Sequence, residues 1–373
     1  MKTVCLNMIV CNESAVIRRC LASVKDKIDA WVIVDTGSTD GTQEIIKEYL
    51  KDIPGELHER PWVDFAEGRN QAMELAKGKA DYLLFIDADE ILEAGSEWEE
   101  LTQDSYFINV FYDKGLHLKV EHPRTFLLNN ALDWIWVGVL HEQVEHRDGK
   151  KRSQVLLDKA RLHSIEDGYR SKDSLEQKAI KDSATLEKAL EKEPTNTRYI
   201  YFLGQSYDVA QRVELALKQY QKLMTMPDVH EALLYMSMIR SALLQEQLER
   251  PVETVIESYM AAYQRFPWRA EPLFHLANFY MRGKRTFLAY FIAKTALSIP
   301  IPQFDAAPVY TEIYKHYLPW VFAKCAARLG LDHEANEMCS RLLARPDLPP
   351  EVRRLVDEVH DQESFDGIPL TYR

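Results

Sequence analysis

The chain has 373 residues, with 46 Lys and Arg against 58 Asp and Glu, which gives a formal net charge of −12. This negative balance argues against a general binder of nucleic-acid phosphates or of anionic membrane surfaces. With 46% hydrophobic and 28% charged residues the composition is typical of a globular protein, and at about 150 residues per domain the length predicts two domains. The sequence has no run of the roughly 18 to 20 apolar residues that a membrane-spanning helix needs.

The first apolar run predicts a β-strand rather than a signal peptide, because Asn7, Asn12 and Glu13 interrupt it and no small-residue cleavage site follows. The five cysteines are odd in number and lie at no zinc-ligand spacing. We therefore expect reduced thiols and a cytoplasmic protein.

Residues 1–165 alternate short β-rich runs with helical stretches. The predicted elements, in chain order, are a strand Thr3–Val10, a helix Glu13–Lys25, a strand Ala30–Val34, helices Gln43–Leu50 and Asn70–Lys77, and a strand Tyr82–Ile86. This alternation predicts a parallel sheet with helices on both faces. In such sheets, ligands bind at the carboxyl ends of the strands.

From about Ser171 the chain is helical, and prolines close successive helical stretches. They lie at positions 194, 227, 267, 300 and 346, with spacings of 33, 40, 33 and 46 residues. The first and third spacings match the tetratricopeptide period of about 34 residues. Small residues such as Gly204 and Ala289 recur where paired helices would approach closely. We expect helical repeats over residues 166–358 and a C-terminal tail over 359–373; the alternative is an irregular helical bundle.

An apolar run that predicts a buried strand is followed by three acidic residues within four positions, in Phe85-Ile86-Asp87-Ala88-Asp89-Glu90. If the strand continues, its period of two places Asp87 and Asp89 on the same side. Paired carboxylates suit a hard divalent cation that neutralises phosphates, such as Mg²⁺ or Mn²⁺. The alternative is a solvated turn.

A second strand ends in Asp35-Thr36-Gly37-Ser38-Thr39-Asp40-Gly41-Thr42. Glycine lets such a turn approach a ligand closely, and the Ser, Thr and Asp side chains can cap the next helix. The alternative is an ordinary capped connection without a ligand.

In combination these motifs resemble family 2 glycosyltransferases of the GT-A fold. The resemblance is carried by Met8-Ile9-Val10-Cys11-Asn12-Glu13, the Asp35–Thr42 segment, Gly68-Arg69-Asn70, the Phe85–Glu90 segment, Pro123-Arg124-Thr125-Phe126 and Trp136-Val137-Gly138-Val139-Leu140-His141-Glu142. The chain is most similar to the branch of lipopolysaccharide-core glucosyltransferases and peptide S-glycosyltransferases, several of which carry tetratricopeptide-like repeats. The resemblance implies an α/β, Rossmann-like GT-A domain over residues 1–165, binding a nucleotide-sugar, followed by an all-α solenoid.

The resemblance also implies roles for individual residues. Those that would contact the nucleotide are Val10, Cys11, Asn12 and Glu13 through their backbone, Asp35 at the uracil or ribose, Arg69 at uracil or phosphate oxygens, and Asp87 at the ribose. Asp89 would coordinate the cation directly, assisted by Asp87. His163 is a candidate further metal ligand, with a hydrogen-bonded structural histidine as the other interpretation.

An inverting transfer requires a carboxylate that takes the acceptor proton. Glu142 is the first candidate, because it lies in a late motif after the apolar run 134–140, and Asp133 is the second. His141 would orient the acceptor or the diphosphate.

The leading hypothesis is therefore an inverting, metal-dependent transfer of a hexose from a UDP-sugar to a peptide or protein side chain. A saccharide acceptor, in the lipopolysaccharide core or another surface glycan, is an alternative. A hypothesis of another class is a catalytically degenerate scaffold whose repeats bind peptides. We expect no nucleic-acid partner and no integral membrane segment, and the repeats could also form a homodimer interface.

Overall fold

The computed structural model describes residues 2–94, 101–112, 121–169, 173–302 and 307–359. The chain divides into two compact units, Met1–Thr185 and Leu186–Arg373. All but the first residue of the expected C-terminal tail lies outside the described residues.

In its described residues, the first unit has ten strands. They are β1 (Val4–Val10), β2 (Ala30–Asp35), β3 (Gly55–Glu59), β4 (Tyr82–Phe85), β5 (Glu90–Glu93), β6 (Ser105–Tyr112), β7 (Glu121–Asn129), β8 (Trp134–Val137), β9 (Gln143–His146) and β10 (Gln154–Ser164). Eight of them form one sheet in the order β3-β2-β1-β4-β7-β6-β10-β5, and β8 pairs with β9 as a separate hairpin.

The expected parallel sheet is present in only part of this order. Strands β3, β2, β1 and β4 are mutually parallel. Strand β7 then runs antiparallel to both β4 and β6, and β5 runs antiparallel to β10. Strands β6 and β10 are again parallel to each other. The sheet is therefore mixed, and the prediction of a parallel sheet is wrong for β7 and β5, which run antiparallel to their neighbours. The parallel half is the part whose carboxyl ends carry the candidate site.

Helices cover both faces of the parallel half, as expected. Helix α1 (Ile17–Val24) and helix α2 (Thr42–Tyr49) contribute to one apolar core, and helix α3 (Phe65–Leu75) packs with β8 in a second core on the same strands. Helix α3 begins five residues before its predicted start, because the Asp64 side chain accepts a hydrogen bond from the Glu67 N–H and caps it. The earlier start places Gly68 and Arg69 inside the helix.

The second unit is helical throughout its described residues. Its helices, the first of which crosses the boundary between the units, are α4 (Leu175–Lys192), α5 (Thr197–Val209), α6 (Val213–Met224), α7 (Glu231–Gln247), α8 (Val252–Arg265), α9 (Glu271–Arg282), α10 (Thr286–Ala296), α11 (Leu318–Arg328), α12 (Asp332–Leu343) and α13 (Pro350–Asp357). From α5 onward each helix contacts the next. The five prolines follow α4, α6, α8, α10 and α12. The last four therefore each close the second helix of a pair, the pairs being α5 and α6, α7 and α8, α9 and α10, and α11 and α12. The unit is a tetratricopeptide-like array of helical pairs.

Close helix packing explains the small residues of the repeats. Gly204 in α5 lies against Tyr220 in α6, where an added Cβ would approach the tyrosine Cε1 within 2.9 Å. The five cysteines are free thiols, as expected. Among the described residues, the helices lack the length and apolar character needed to cross a membrane.

Candidate functional site

The acidic motif forms a turn rather than a continued strand. Strand β4 ends at Phe85, and the Glu90 N–H donates to the Asp87 carbonyl at 3.1 Å. The Glu90 side chain also accepts from the Asp87 N–H at 2.8 Å. The expectation that Asp87 and Asp89 share one side of a strand is therefore wrong, because the chain reverses between them and their carboxylates have different partners.

Two arginines hold the Asp87 carboxylate. Arg69 donates from Nη2 to Oδ1 at 2.8 Å, and Arg124 donates from Nη1 to Oδ2 at 3.3 Å. Burial by itself would raise the pKa of Asp87, but the two guanidinium groups outweigh it and hold that pKa below its usual range. Asp87 is thus a charged residue that positions both arginines.

Glu90 and Arg124 form a partly buried ion pair beside Asp87. The Glu90 side chain is 2% exposed, and its two oxygens accept from Arg124 Nη1 at 2.8 Å and Nη2 at 2.5 Å. Burial raises the pKa of Glu90, with Arg124 opposing the rise. The motifs that contain Glu90 and Arg124 gave no sign of this pair, because the two residues are distant in the chain and the pairing of β4 with β7 brings them together.

Arg69 connects the acidic turn to the late motif. Its Nε donates to Glu142 Oε1 at 2.7 Å, and its guanidinium lies over the Trp136 ring, 5.1 Å from the centroid. Asn70 binds β8, the strand that contains Trp136, through two hydrogen bonds of 2.8 Å. Its side chain donates to the Trp136 carbonyl and accepts from the Trp136 N–H. Helix α3 therefore places Arg69 and fixes β8 beside it.

A tight loop returns Glu142 toward Arg69. Gly138 has φ of 107° and His141 has φ of 51°, both in the left-handed region. The Glu142 side chain is only 13% exposed. The second base candidate, Asp133, has a different environment: its half-exposed carboxylate pairs with Arg147 at 3.3 Å.

Hydrogen bonds join the loops that follow β1 and β2. The Asn12 N–H donates to Ser38 Oγ at 2.8 Å, and the Thr39 N–H donates to Asn12 Oδ1 at 2.8 Å. The Glu13 N–H donates to Thr42 Oγ1 at 2.8 Å. The predicted nucleoside-facing backbone is thus held by the polar side chains of the second motif.

The expected capping of α2 is confirmed only for Asp40. Gly41 occupies the N-cap position without a side-chain hydrogen bond, and Asp40 Oδ1 accepts from the Thr42 N–H at 3.1 Å. Val10 is tied to the same region, because its carbonyl accepts from the Thr36 N–H at 2.9 Å. Cys11 beside it is a half-buried free thiol.

Asp35 is completely buried at the end of β2, and one of its oxygens lacks a partner. Its Oδ1 accepts from the N–H groups of Gly37 at 2.8 Å and Ser38 at 2.7 Å. Its Oδ2 is buried and has no hydrogen-bond partner among the residues that the structure describes. An unpaired buried acceptor is costly, so a further hydrogen-bond donor at this oxygen would stabilise the site.

Asp89 and Glu13 face a backbone segment after β10. The Gly168 N–H donates to Asp89 Oδ2 at 3.2 Å, and the Tyr169 N–H donates to Glu13 Oε2 at 3.1 Å. A Cβ added to Gly168 would lie 3.0 Å from both carboxylate oxygens, so the two acids are neighbours. Burial raises the pKa of Glu13 to about 7, with the Asp89 charge adding to the rise. Burial also raises the pKa of Asp89, with the Asp87 charge adding to it.

The two histidines predicted to act in the site, His141 and His163, have surroundings that differ from those of Asp89 and Glu13. His163 Nε2 lies 3.1 Å from Glu93 Oε2 within hydrogen-bond distance, and its ring stacks on Phe111. His141 is exposed beside Glu142. In the described part of the chain, His, Cys, Asp and Glu form no group of three or more that could hold a metal ion by themselves. A role of His163 as metal ligand stays a prediction.

Comparison with known proteins finds a family match over part of the N-terminal unit. Residues 5–104 match the family described as Glycosyl transferase family 2. The chain is 27% identical over 231 residues to the SPbeta prophage-derived glycosyltransferase SunS of Bacillus subtilis strain 168, covering 59% of this chain and 53% of SunS. Over 104 residues it is 45% identical to a TPR repeat-containing protein of Synechococcus elongatus, covering 27% of this chain and 24% of that protein.

Among solved structures, the crystal structure of S. aureus TarS 1–349 in complex with UDP-GlcNAc matches with a TM-score of 0.40 and 16% identity. That match covers 72% of this chain and 92% of the TarS chain. The chain spans about half the length of SunS.

Proposed function

We propose that the N-terminal unit, which contains a family 2 glycosyltransferase domain, transfers a hexose from a UDP-sugar to an acceptor with inversion at the anomeric carbon. One observation carries the proposal. Arg69 joins Asp87, at the carboxyl end of the parallel strands, to Glu142, the candidate base, through hydrogen bonds of 2.8 Å and 2.7 Å. This network thereby joins the edge of the sheet that is proposed to bind the nucleotide to the proposed proton acceptor.

The end of β2 supports a nucleoside as ligand. The buried Asp35 Oδ2 lacks a hydrogen-bond donor, and a ribose hydroxyl or a base N–H would supply one. The neighbouring backbone from Val10 to Glu13 is fixed by the loop after β2. This rigidity favours a ligand that lies against main-chain atoms.

The residues around Asp89 fit a divalent cation that also binds the substrate diphosphate. Mg²⁺ commonly uses one or two protein carboxylates and takes its other ligands from phosphate oxygens and water, so a cluster of three protein ligands is not required. The Asp89 carboxylate accepts a backbone hydrogen bond, whereas both oxygens of Asp87 are bound by arginines. We therefore assign direct coordination to Asp89. A bound Mg²⁺ or Mn²⁺ would stabilise the charge of the leaving diphosphate.

Glu142 is the proposed general base. Its Oε1 is held by Arg69, which sets the direction of the carboxylate and leaves Oε2 to take the acceptor proton. The left-handed backbone at His141 turns this segment back toward Arg69. His141, which is exposed next to the base, is proposed to orient the acceptor.

The proposed acceptor is a peptide or protein side chain. Helical repeats of this kind commonly present surfaces for extended peptides, and the resemblance noted from the sequence includes peptide S-glycosyltransferases. A saccharide acceptor would leave the repeats without a role in substrate binding. A degenerate scaffold is disfavoured because Asp89, Arg69 and Glu142 are all present and Arg69 and Glu142 are in contact.

The test is incubation of the full chain with a panel of UDP-sugars, Mn²⁺ and peptide or glycan acceptors, with UDP release and acceptor mass as readouts. We expect UDP release that depends on the cation and is lost in Asp89→Asn. Absence of metal-dependent UDP binding would favour the scaffold and overturn the proposal.

A further inference from the structure

Residues 165–169, which follow β10, hold the acidic turn at Asp89 through its side chain and its backbone. The Gly168 N–H donates to Asp89 Oδ2 at 3.2 Å, and the Ile165 N–H donates to the Asp89 carbonyl at 3.3 Å. A Cβ added to Gly168 would lie 3.0 Å from Asp89 Oδ2, so the segment lies directly against the carboxylate. The position of residues 165–169 therefore affects the direction of the side chain that is assigned above to the cation.

An ion pair with Arg19 fixes the same segment to helix α1. Arg19 donates from Nη1 to Asp167 Oδ2 at 3.0 Å and from Nη2 to Asp167 Oδ1 at 2.6 Å. A bidentate pair of this kind fixes the orientation of its partners as well as their separation. Because Asp167 directly precedes Gly168, the pair restricts the position of the Gly168 N–H.

Helix α1 is itself bound to the chain on both sides of Asp89. Cys20 Sγ donates to the Asp87 carbonyl at 3.3 Å, and Ser23 Oγ accepts from the Leu92 N–H at 3.0 Å. Arg19, one residue before Cys20, therefore extends from a helix whose position relative to the acidic turn is fixed. The turn, α1 and residues 165–169 form a closed ring of contacts that includes the Asp89 carboxylate.

We propose that Arg19 and Asp167 are positioning residues for the cation site. Their ion pair holds the Gly168 N–H against Asp89 and thereby orients the carboxylate that binds Mg²⁺ or Mn²⁺. This inference rests on the proposed function, because it concerns the cation that is assigned there to Asp89. Neither Arg19 nor Asp167 has a role in the network of Arg69 and its partners described above.

The size of the effect follows from how the pair reaches the cation. A group that hydrogen-bonds a metal-ligating side chain typically contributes about 10- to 100-fold to metal affinity. Gly168 has that position, whereas the ion pair acts on the carboxylate only through Gly168. The Tyr169 N–H also keeps its hydrogen bond of 3.1 Å to Glu13 Oε2 when the pair is lost. We therefore expect loss of the pair to weaken cation binding by a smaller factor, about fivefold.

The test measures UDP binding to the full chain by calorimetry at a series of free Mn²⁺ concentrations. The readout is the Mn²⁺ requirement, defined as the free Mn²⁺ concentration at which UDP affinity reaches half of its maximum. In Arg19→Gln and in Asp167→Asn we expect this requirement to rise about fivefold, with UDP affinity at saturating Mn²⁺ unchanged. The side chains of the pair are 36% and 43% exposed, and pairs of that exposure add little to folding stability, so both variants should fold.

Two further variants test the route from the pair to the carboxylate. The double variant Arg19→Asp with Asp167→Arg exchanges the two charges, and it should restore most of the wild-type Mn²⁺ requirement because an ion pair is kept. Gly168→Ala should raise the requirement about tenfold or more, since the added Cβ would displace the Asp89 carboxylate. Failure of the exchange to recover any affinity would overturn the ion pair as the positioning contact.

The matched control is Arg18→Gln, which removes the neighbouring arginine of α1, whose partner is Glu48 in α2. It should change neither the Mn²⁺ requirement nor the UDP affinity. If Arg19→Gln has the same Mn²⁺ requirement as this control, the inference is overturned while the proposed function stands. A lower UDP affinity of Arg19→Gln at saturating Mn²⁺ also overturns it, because the pair would then support the fold in general. Absence of Mn²⁺-dependent UDP binding in the wild type overturns the proposed function as well.

Discussion

Arg69 donates its Nε–H to Glu142 Oε1 at 2.7 Å, and this bond joins two residues that are 73 positions apart in the chain. The same guanidinium reaches Asp87 at 2.8 Å and lies over Trp136. One side chain therefore sets the separation between the acidic turn and the candidate base. Any change in Arg69 should disturb both at once.

Replacing Arg69 by Lys should lower the rate of UDP release about 100-fold or more. Lysine keeps the charge but lacks the planar fork that binds Asp87 and Glu142 together. The measurement is the initial rate of UDP release at saturating donor and Mn²⁺. The control is Arg147→Lys, which alters an exposed pair with Asp133 and should leave the rate within about twofold. A rate in Arg69→Lys close to that of the control would contradict the assignment.

Glu142→Gln should abolish transfer while preserving nucleotide binding. The amide keeps the shape of the side chain but cannot take the acceptor proton, so we expect a rate loss of about 10²- to 10⁴-fold. UDP affinity, measured by calorimetry, should change by no more than about twofold. Asp133→Asn provides the comparison, because the structure gives Asp133 an exposed pair with Arg147 away from Arg69. A larger loss in Asp133→Asn than in Glu142→Gln would make Asp133 the base.

Arg124→Met should destabilise the N-terminal unit by about 3 kcal/mol. Removing the guanidinium leaves the buried Glu90 carboxylate without its charged partner, and breaking one partner of a buried pair is strongly unfavourable. Denaturant unfolding measures the change. The double variant Glu90→Gln with Arg124→Met should recover part of the loss. The matched surface control is Arg18→Met, which breaks an exposed pair with Glu48 and should cost less than about 1 kcal/mol.

Gly204→Ala should destabilise the helical unit by about 1 to 3 kcal/mol. The added methyl group would lie 2.9 Å from Cε1 of the buried Tyr220 and force α5 and α6 apart. Thermal unfolding followed by circular dichroism measures the effect. Gly283→Ala is the control, because Gly283 has a negative φ and its nearest neighbour to an added Cβ is 3.5 Å away. Equal stability of the two variants would show that the two helices do not pack as described.

The helical unit should lose stability as the pH falls from about 6.5 toward 3, because His275 is buried and neutral. Burial lowers its pKa to about 3, with the charges of Arg282 and Arg240 adding to the shift. In this range the unfolded chain binds a proton that the folded state does not, since an unfolded histidine titrates near about 6.5. The expected loss is about 2 kcal/mol between pH 6.5 and 5, measured by urea unfolding. In His275→Gln this dependence should flatten; an unchanged slope would assign it to other groups.

Local patterns in the sequence predicted much of the parallel half and the helical pairs. Strands β1, β2 and β4 are largely apolar runs, and the prolines mark the end of every second helix. The mixed order of β5, β6, β7 and β10 was not predicted, because pairing between distant strands leaves no local signal. The turn at Asp87 was predicted only as the alternative, since Glu90 holds it by a hydrogen bond that the two-residue period of a strand does not include.

The candidate site, like the fold, was predicted only in part from the sequence. Sequence motifs supplied the residue types, including Arg69, Asp89 and Glu142, but not their contacts. The Arg69–Glu142 bond depends on the positive φ values of Gly138 and His141, which reverse the chain after β8.

The hydrogen bonds between the loops after β1 and β2 limit how this protein can be redesigned. Asn12 depends on Ser38 and Thr39, and Glu13 depends on Thr42, so each loop supplies the partners that the other one needs. A chimera that imports one loop from a relative would leave unpaired backbone groups in the other. Exchange of donor preference between relatives should therefore succeed only when both loops are transplanted together, as a single cassette.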